Sequence, residues 1–209
     1  AAVRAAARNN RTLPRPMRDA GFSLVELMVV SALIAATGAM AVPSLLAAID
    51  DDRAAGAARY IAARLQRARV EALGRSTRVA LRFSPAADGY GYAVYVDGNG
   101  DGVRSLDISQ GIDPQIGAME RLPDQFTGVH FGLLPGLPPV DPGGSAPGTD
   151  PIKLGSSNMV SFSATGTSSS GSIFIRGGES AQYMVRVFGD TARIRVLKFD
   201  VSTRRWTPP

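Results

Sequence analysis

The sequence predicts an α+β fold: a long N-terminal helix, membrane-spanning at first and amphipathic beyond, packed on a C-terminal, mostly antiparallel β-sandwich-like domain. Three observations carry that prediction. Between Phe22 and Ile49 the chain is apolar apart from one ionisable side chain, Glu26. That run exceeds the roughly 20 residues an α-helix needs to cross a hydrocarbon core. From Asp52 to Gly74 apolar residues recur at intervals of three and four, the spacing of one helical face. Past Gly74 the period drops to two, in short β-rich segments separated by turn residues.

Ahead of the apolar run, residues 1–20 are rich in Ala and Arg, and Pro14 and Pro16 argue against a long helix. Arg4, Arg8, Arg11, Arg15 and Arg18 stand there against Asp19 alone, so most of the formal charge of +5 precedes the run. This asymmetry keeps the leader in the cytoplasm and sends the C-terminal domain across the membrane. The remainder is nearly neutral, so the basic pI is not by itself a sign of nucleic-acid binding. There is no cysteine, which excludes disulfides and thiolate chemistry and leaves hydrophobic burial to hold the domain. Because the first residue is not Met, the start is expected to lie upstream or to have been trimmed.

Within the helix, Leu24, Val25, Leu27, Met28, Val29, Val30, Leu33 and Ile34 are apolar on every side, as lipid contact or bundle burial requires. Gly38 and Pro43 are expected to interrupt it, proline by removing a backbone donor and clashing with the preceding turn. Two breakers tolerated in a membrane span is the other reading. Asp50-Asp51-Asp52 closes the apolar run. In the second half Ala57, Ile61, Leu65, Ala68 and Ala72 form a stripe that should pack on the β-domain, with Gly74 as the stop. Arg53, Arg59, Arg64, Arg67, Arg69 and Arg75 cover much of the rest and read first as a solvated face, otherwise as contacts for acidic neighbours or phosphates.

The strands are expected at Val79–Phe83 and Tyr90–Val96, bounded by Ser84-Pro85 and Asp88-Gly89. Further strands are expected at Ile116–Leu122, Val129–Phe131, Met159–Phe162, Ser172–Arg176, Tyr183–Phe188 and Ala192–Asp200. Leu134 to Asp150, with five prolines, reads as an exposed irregular loop.

Two sets of residues carry a family resemblance. Behind the basic leader, Gly21-Phe22-Ser23-Leu24-Val25-Glu26-Leu27 resembles the prepilin signal of type IV pilins and type II secretion pseudopilins; the same stretch read without it fits an ordinary signal anchor. Downstream, Ser161-Phe162-Ser163-Ala164-Thr165-Gly166-Thr167, Gly171-Ser172-Ile173-Phe174-Ile175, Val185-Arg186-Val187 and Ala192-Arg193-Ile194-Arg195 are similar to the GspH/FimT branch of minor pilins and pseudopilins. The resemblance implies that a prepilin peptidase cleaves between Gly21 and Phe22, that the new amine of Phe22 is methylated, and that Glu26 serves assembly. It also implies that Gly38 and Pro43 mark a segment able to lose helicity in the filament. The expected layout is a cleaved leader at 1–21, a membrane and assembly helix at 22–49, its amphipathic continuation at 50–75 and a periplasmic β-domain at 76–209. The implied role is structural, in a type IV pilus or a type II secretion pseudopilus. The implied partners are other pilins or pseudopilins and an inner-membrane assembly platform. The location would be a single-pass inner-membrane protein that later enters a periplasmic or extracellular filament. In the FimT-like members the arginines matching Arg193 and Arg195 are tied to DNA binding in natural transformation, which makes DNA a possible partner. That branch usually carries Gly-Arg-x-Arg, and Ala192 departs from it.

Read on its own, Glu26 is a carboxylate at the mouth of a membrane helix, expensive without a positive partner. Asp97, Asn99 and Asp101, with Gly102, read like the first half of a calcium loop, but Ile108 stands where its bidentate glutamate belongs. A structural turn accounts for the same composition more cheaply. Calcium is thus the one cofactor candidate, and none is otherwise expected. Arg193 and Arg195 fall on one face of a strand. Arg186, Lys198, Arg204 and Arg205 would extend that face, and Phe199 or Trp206 would offer stacking; the first reading is a plain polar outer face of a sheet whose inner face holds Ile194, Val196 and Phe199. His130 lies in an apolar stretch, and Ser168-Ser169-Ser170 lacks a nucleophile motif. No enzymatic activity is expected.

Overall fold

The computed structural model describes residues 21–87 and 89–209; the leader at 1–20 and the turn residue Asp88 lie outside the described residues. Helix α1 spans Leu24–Arg75. The expected interruption at Gly38 and Pro43 is absent, since both residues are helical. Proline deletes one backbone bond while the neighbouring turns keep theirs, and a glycine costs only about 1 kcal/mol against alanine. The chain divides into a unit ending at Val42 and a unit beginning at Pro43.

In the first unit residues 24–42 rise about 28 Å at helical pitch, close to the thickness of a hydrocarbon core. Its large apolar side chains, from Leu24 to Val42, are exposed, and the helix is long and apolar enough to cross a membrane. Thr37 turns its hydroxyl back onto the carbonyls of Leu33 and Ile34, at 2.9 and 3.0 Å. No polar hydrogen is then left to face lipid at that position.

In the second unit the same helix lays down the expected stripe. Ala54, Ala55, Ala57, Ala58, Ile61, Leu65, Ala68 and Ala72 are buried in one core with residues of the β-domain. The alanines admit the sheets close to the helix axis, and Ile61 and Leu65 fill the space between. Gly74 is not the stop; it is helical, and Ser76 takes the left-handed conformation (φ 54°). There the amide of Thr77 donates to Ala72 O (3.2 Å) and that of Ser76 to Leu73 O (3.3 Å), the paired bonds of a Schellman ending.

Two antiparallel sheets complete the unit. The first has the order β3-β2-β1-β6 and uses β1 (Val79–Ala86), β2 (Gly89–Val96), β3 (Gln115–Arg121) and β6 (Met159–Phe162). The second has the order β10-β9-β8-β7-β4. Its strands are β4 (His130–Phe131), β7 (Gly171–Arg176), β8 (Gln182–Phe188), β9 (Arg193–Asp200) and β10 (Arg205–Thr207), and β5 (Ile152–Lys153) also pairs with β7. Phe131 of the second sheet meets Phe83 and Tyr92 of the first edge to face, at 5.4 and 6.0 Å between ring centres. All three rings are buried in the core.

Several boundaries differ from the sequence reading. Strand β1 continues through Ser84 and Pro85, paired with β2 as far as Ala86 and Gly89. Strand β3 stops at Arg121, and Leu122 opens the short helix α3 (Leu122–Gln125). The strands β5 and β10 and the helix α2 (Ser105–Gln110) were not expected. They are two to six residues long, too short to display a period. The stretch from Leu134 to Asp150 has no helix or strand, but it is not merely an exposed loop, because Leu137 is buried. The wholly buried Gln182 ties down its start by accepting from Leu134 N (2.8 Å) and donating to Gly132 O (3.2 Å). Farther along, Trp206 donates to Pro138 O and Arg204 to Gly136 O, at 3.4 and 3.0 Å.

Candidate functional site

At the N-terminal end, Gly21 and Phe22 precede the helix and are exposed. Glu26 is exposed in the first turn of α1, where free backbone N–H groups and the helix dipole favour a carboxylate. Ser23 sits at the cap, its carbonyl accepting from Leu27 N at 3.1 Å. The spacing Ser-x-x-Glu is that of a capping box. The carboxylate is therefore consistent with the start of this helix as well as with contacts beyond it.

Asp50 and Asp51, which close the apolar run, also fasten α1 to the second sheet. Asp50 accepts from the backbone amides of Gly178 and Glu179, at 2.6 and 3.3 Å. Asp51 accepts from Tyr183 Oη at 3.0 Å and Lys198 Nζ at 2.7 Å. Burial first, then the bond to Asp51, pushes the Tyr183 phenol well above its ordinary range. A Cβ on Gly177 would come within 2.7 Å of the Asp50 carboxylate, so glycine is needed where the turn meets the helix. A second fastening lies farther along, where Glu120 receives Tyr60, Tyr92, Arg64 and Gln125. Burial works to raise the Glu120 carboxyl, but the Tyr60 hydrogen bond and the Arg64 charge outweigh it and hold it below the usual range.

The acidic loop is built around its own backbone. Asp97 Oδ1 accepts from the amides of Asn99 (3.2 Å) and Gly100 (2.7 Å), and Oδ2 from Gly102 (2.9 Å). Asn99 accepts from Asp101 N at 3.2 Å, and Asp101 pairs with Arg104 at 2.8 Å. The buried Asp113 closes the loop from the other side, accepting from Gly98 N and Arg104 N. The oxygens of the calcium candidate are thus directed at amides and a guanidinium. Among the described residues no three acidic, His or Cys side chains are grouped to hold a metal ion. The loop is a hydrogen-bonded turn.

On the second sheet Arg193 and Arg195 are exposed on the same face of β9, and neither side chain has an ion pair or hydrogen bond among the described residues. Register brings Arg186 of β8 directly opposite Arg195. All three line an open groove of about 500 Å³ with Ser170, Ser172, Phe188 and Asp190. The other expected members are elsewhere. Lys198 has the opposite parity and meets Asp51, while Arg204 holds the proline-rich stretch. Arg205 pairs in register with Asp200, and so lies on the face opposite Arg193 and Arg195. Phe199 is not on the inner face with Ile194 and Val196. It packs on Trp206 (5.3 Å), which also meets Phe174 (6.0 Å), so these rings are engaged in packing. His130 stands half-buried at the start of β4, opposite Arg176; burial, then the Arg176 charge, lowers its pKa.

The comparisons bear on the N-terminal end. The family model for the prokaryotic N-terminal methylation motif matches residues 16–42. This supports a type IV pilin-like protein, processed by prepilin peptidase and assembling with other pilins. No curated protein and no solved structure matches the chain.

Proposed function

We propose that this chain is a structural minor pilin or pseudopilin of the GspH/FimT kind, incorporated into a type IV pilus or a type II secretion pseudopilus. The observation that carries the reading is the methylation motif standing at the start of an exposed apolar run, Phe22 to Ile49, whose one ionisable side chain is Glu26. Cleavage between Gly21 and Phe22 removes the basic leader and creates an α-amine one helical turn from Glu26. A carboxylate within lipid costs about 3 kcal/mol on insertion scales; the methylated ammonium of a neighbouring subunit offsets that cost. Processing is thereby coupled to docking, and the exposed apolar surface passes from lipid to helix-to-helix packing in the filament. Gly38 and Pro43 supply the place where the packed helix can open.

Glu26→Ala is expected to insert in the membrane normally and to lose at least tenfold of its incorporation into sheared filaments, measured by immunoblot of the two fractions. Normal incorporation would overturn the docking role. Mass spectrometry of the assembled subunit should find a methylated Phe22 as its first residue. A deletion strain scored for piliation, DNA uptake and exoprotein secretion assigns the machine: loss of secretion alone marks a pseudopilus, and loss of pili or DNA uptake alone marks a pilus.

A second reading, a DNA-binding minor pilin for natural transformation, is favoured by the unpaired Arg193 and Arg195 lining one groove with Arg186. Under that reading, replacing both residues with alanine removes DNA binding while the fold is kept.

A further inference from the structure

Register places more on the basic face than its two exposed arginines. Arg195 lies opposite Arg186, Arg186 opposite Ser172, and Ser172 opposite Lys153. Residues directly opposite in antiparallel strands point to the same side of the sheet. These four therefore form one row across β9, β8, β7 and β5, about 14 Å long at the usual strand spacing. Arg193 flanks the row at one end. A second groove, of about 270 Å³, shares Ser172 and Arg186 with the first and is lined by Lys153 and the Asp141–Pro147 stretch. Lys153, like Arg193 and Arg195, has no ion-pair partner among the described residues. The central arginine does: Arg186 binds Asp141 Oδ2 at 2.6 Å. Asp141 is 61% exposed and lies in the proline-rich stretch, so this pair costs little to break.

We infer that the row is a single track for the phosphates of a nucleic-acid strand, and that Asp141 is a shutter over its central arginine which the strand displaces. The inference deepens the DNA-binding reading of Arg193 and Arg195 and rests on it. A nucleic acid is favoured over an acidic peptide by Phe188. Its ring is half-buried in the groove wall, with the Arg186 guanidinium 5.5 Å from its centre, the pairing of cation and aromatic face on which bases stack.

The test uses the full chain in detergent micelles, with a fluorescent single-stranded oligonucleotide titrated at several salt concentrations and folding checked by circular dichroism. Asp141→Asn should bind about two- to fivefold more tightly than the parent. Lys153→Ala and Arg186→Ala should each bind more weakly and flatten the plot of log K against log salt by about 0.7. If the parent binds through Arg193 and Arg195 but is indifferent to Asp141→Asn and Lys153→Ala, the shutter and the extended track are overturned while the DNA-binding reading stands. If neither the parent nor Asp141→Asn binds the oligonucleotide, the reading itself falls. Equal binding of poly-glutamate, strengthened to the same degree by Asp141→Asn, would overturn the choice of nucleic acid.

Discussion

At the scale of single residues, the chain shows how position decides what a charge does. Glu120 is a carboxylate held below its usual pKa by Tyr60 and Arg64 against the pull of burial. A group of this kind adds stability above its unfolded pKa and loses it as pH falls through its folded pKa. The parent should therefore lose thermal stability between about pH 5 and pH 3. Glu120→Gln, less stable at neutral pH, should decline less steeply over that window in melts followed by circular dichroism. Parallel slopes would show that other carboxylates carry the acid sensitivity. Ala192, which stands where the GspH/FimT pattern that this stretch resembles has glycine, is buried with φ at 47°. The left-handed conformation costs a non-glycine residue about 1–2 kcal/mol. The buried methyl returns about 0.8 kcal/mol, and alanine avoids the extra folding entropy of glycine, about 0.5–1 kcal/mol. The terms nearly cancel, so alanine is tolerated where glycine is the usual choice.

At the scale of elements, α1 is one helix under two regimes. Its first part is exposed and apolar, and its stripe from Ala54 to Ala72 is the spine of the β-domain core. Leu65→Ala should destabilise the domain by about 2–5 kcal/mol through the cavity it leaves. Val70→Ala, on the exposed side of the same helix, should change stability by less than about 0.5 kcal/mol. Denaturant midpoints of the full chain in detergent check both, and equal effects would mean that the stripe does not pack as described. The stripe was legible from spacing alone, because burial on one helical face imposes a period of 3.6. The helix stop was not, because the Schellman ending uses Ser76 rather than Gly74. The strands long enough to alternate were found within a few residues, whereas β5, β10 and α3 are defined by what they pair with or pack against. Pro43 does not interrupt α1 in the single chain, since one lost backbone bond leaves the neighbouring turns intact.

At the scale of the whole molecule, the cysteine-free β-domain is held among the described residues by a main hydrophobic core, a small satellite cluster at Ala80, Val103 and Met159, and polar fastenings at Asp50–Asp51, Glu120 and Asp97–Asp113. Calcium at 1 mM or a chelator should therefore leave the melting temperature of the full chain unchanged within about 1 °C. A calcium-dependent rise of several degrees would restore the ion to the Asp97 loop. The sequence by itself determined the fold class, the helix with its apolar start and later stripe, the strand-rich remainder, and the motif at Gly21, Phe22 and Glu26. These are local patterns, set by solvent and periodicity, and they need no partner to be read. Only the tertiary structure decided that Asp51 meets Lys198, that Lys153, Arg186 and Arg195 share one row, and that Phe199 and Trp206 are spent on packing. Strand order and register bring together residues far apart in the chain, and a one-residue change of register turns a side chain from one face of a sheet to the other.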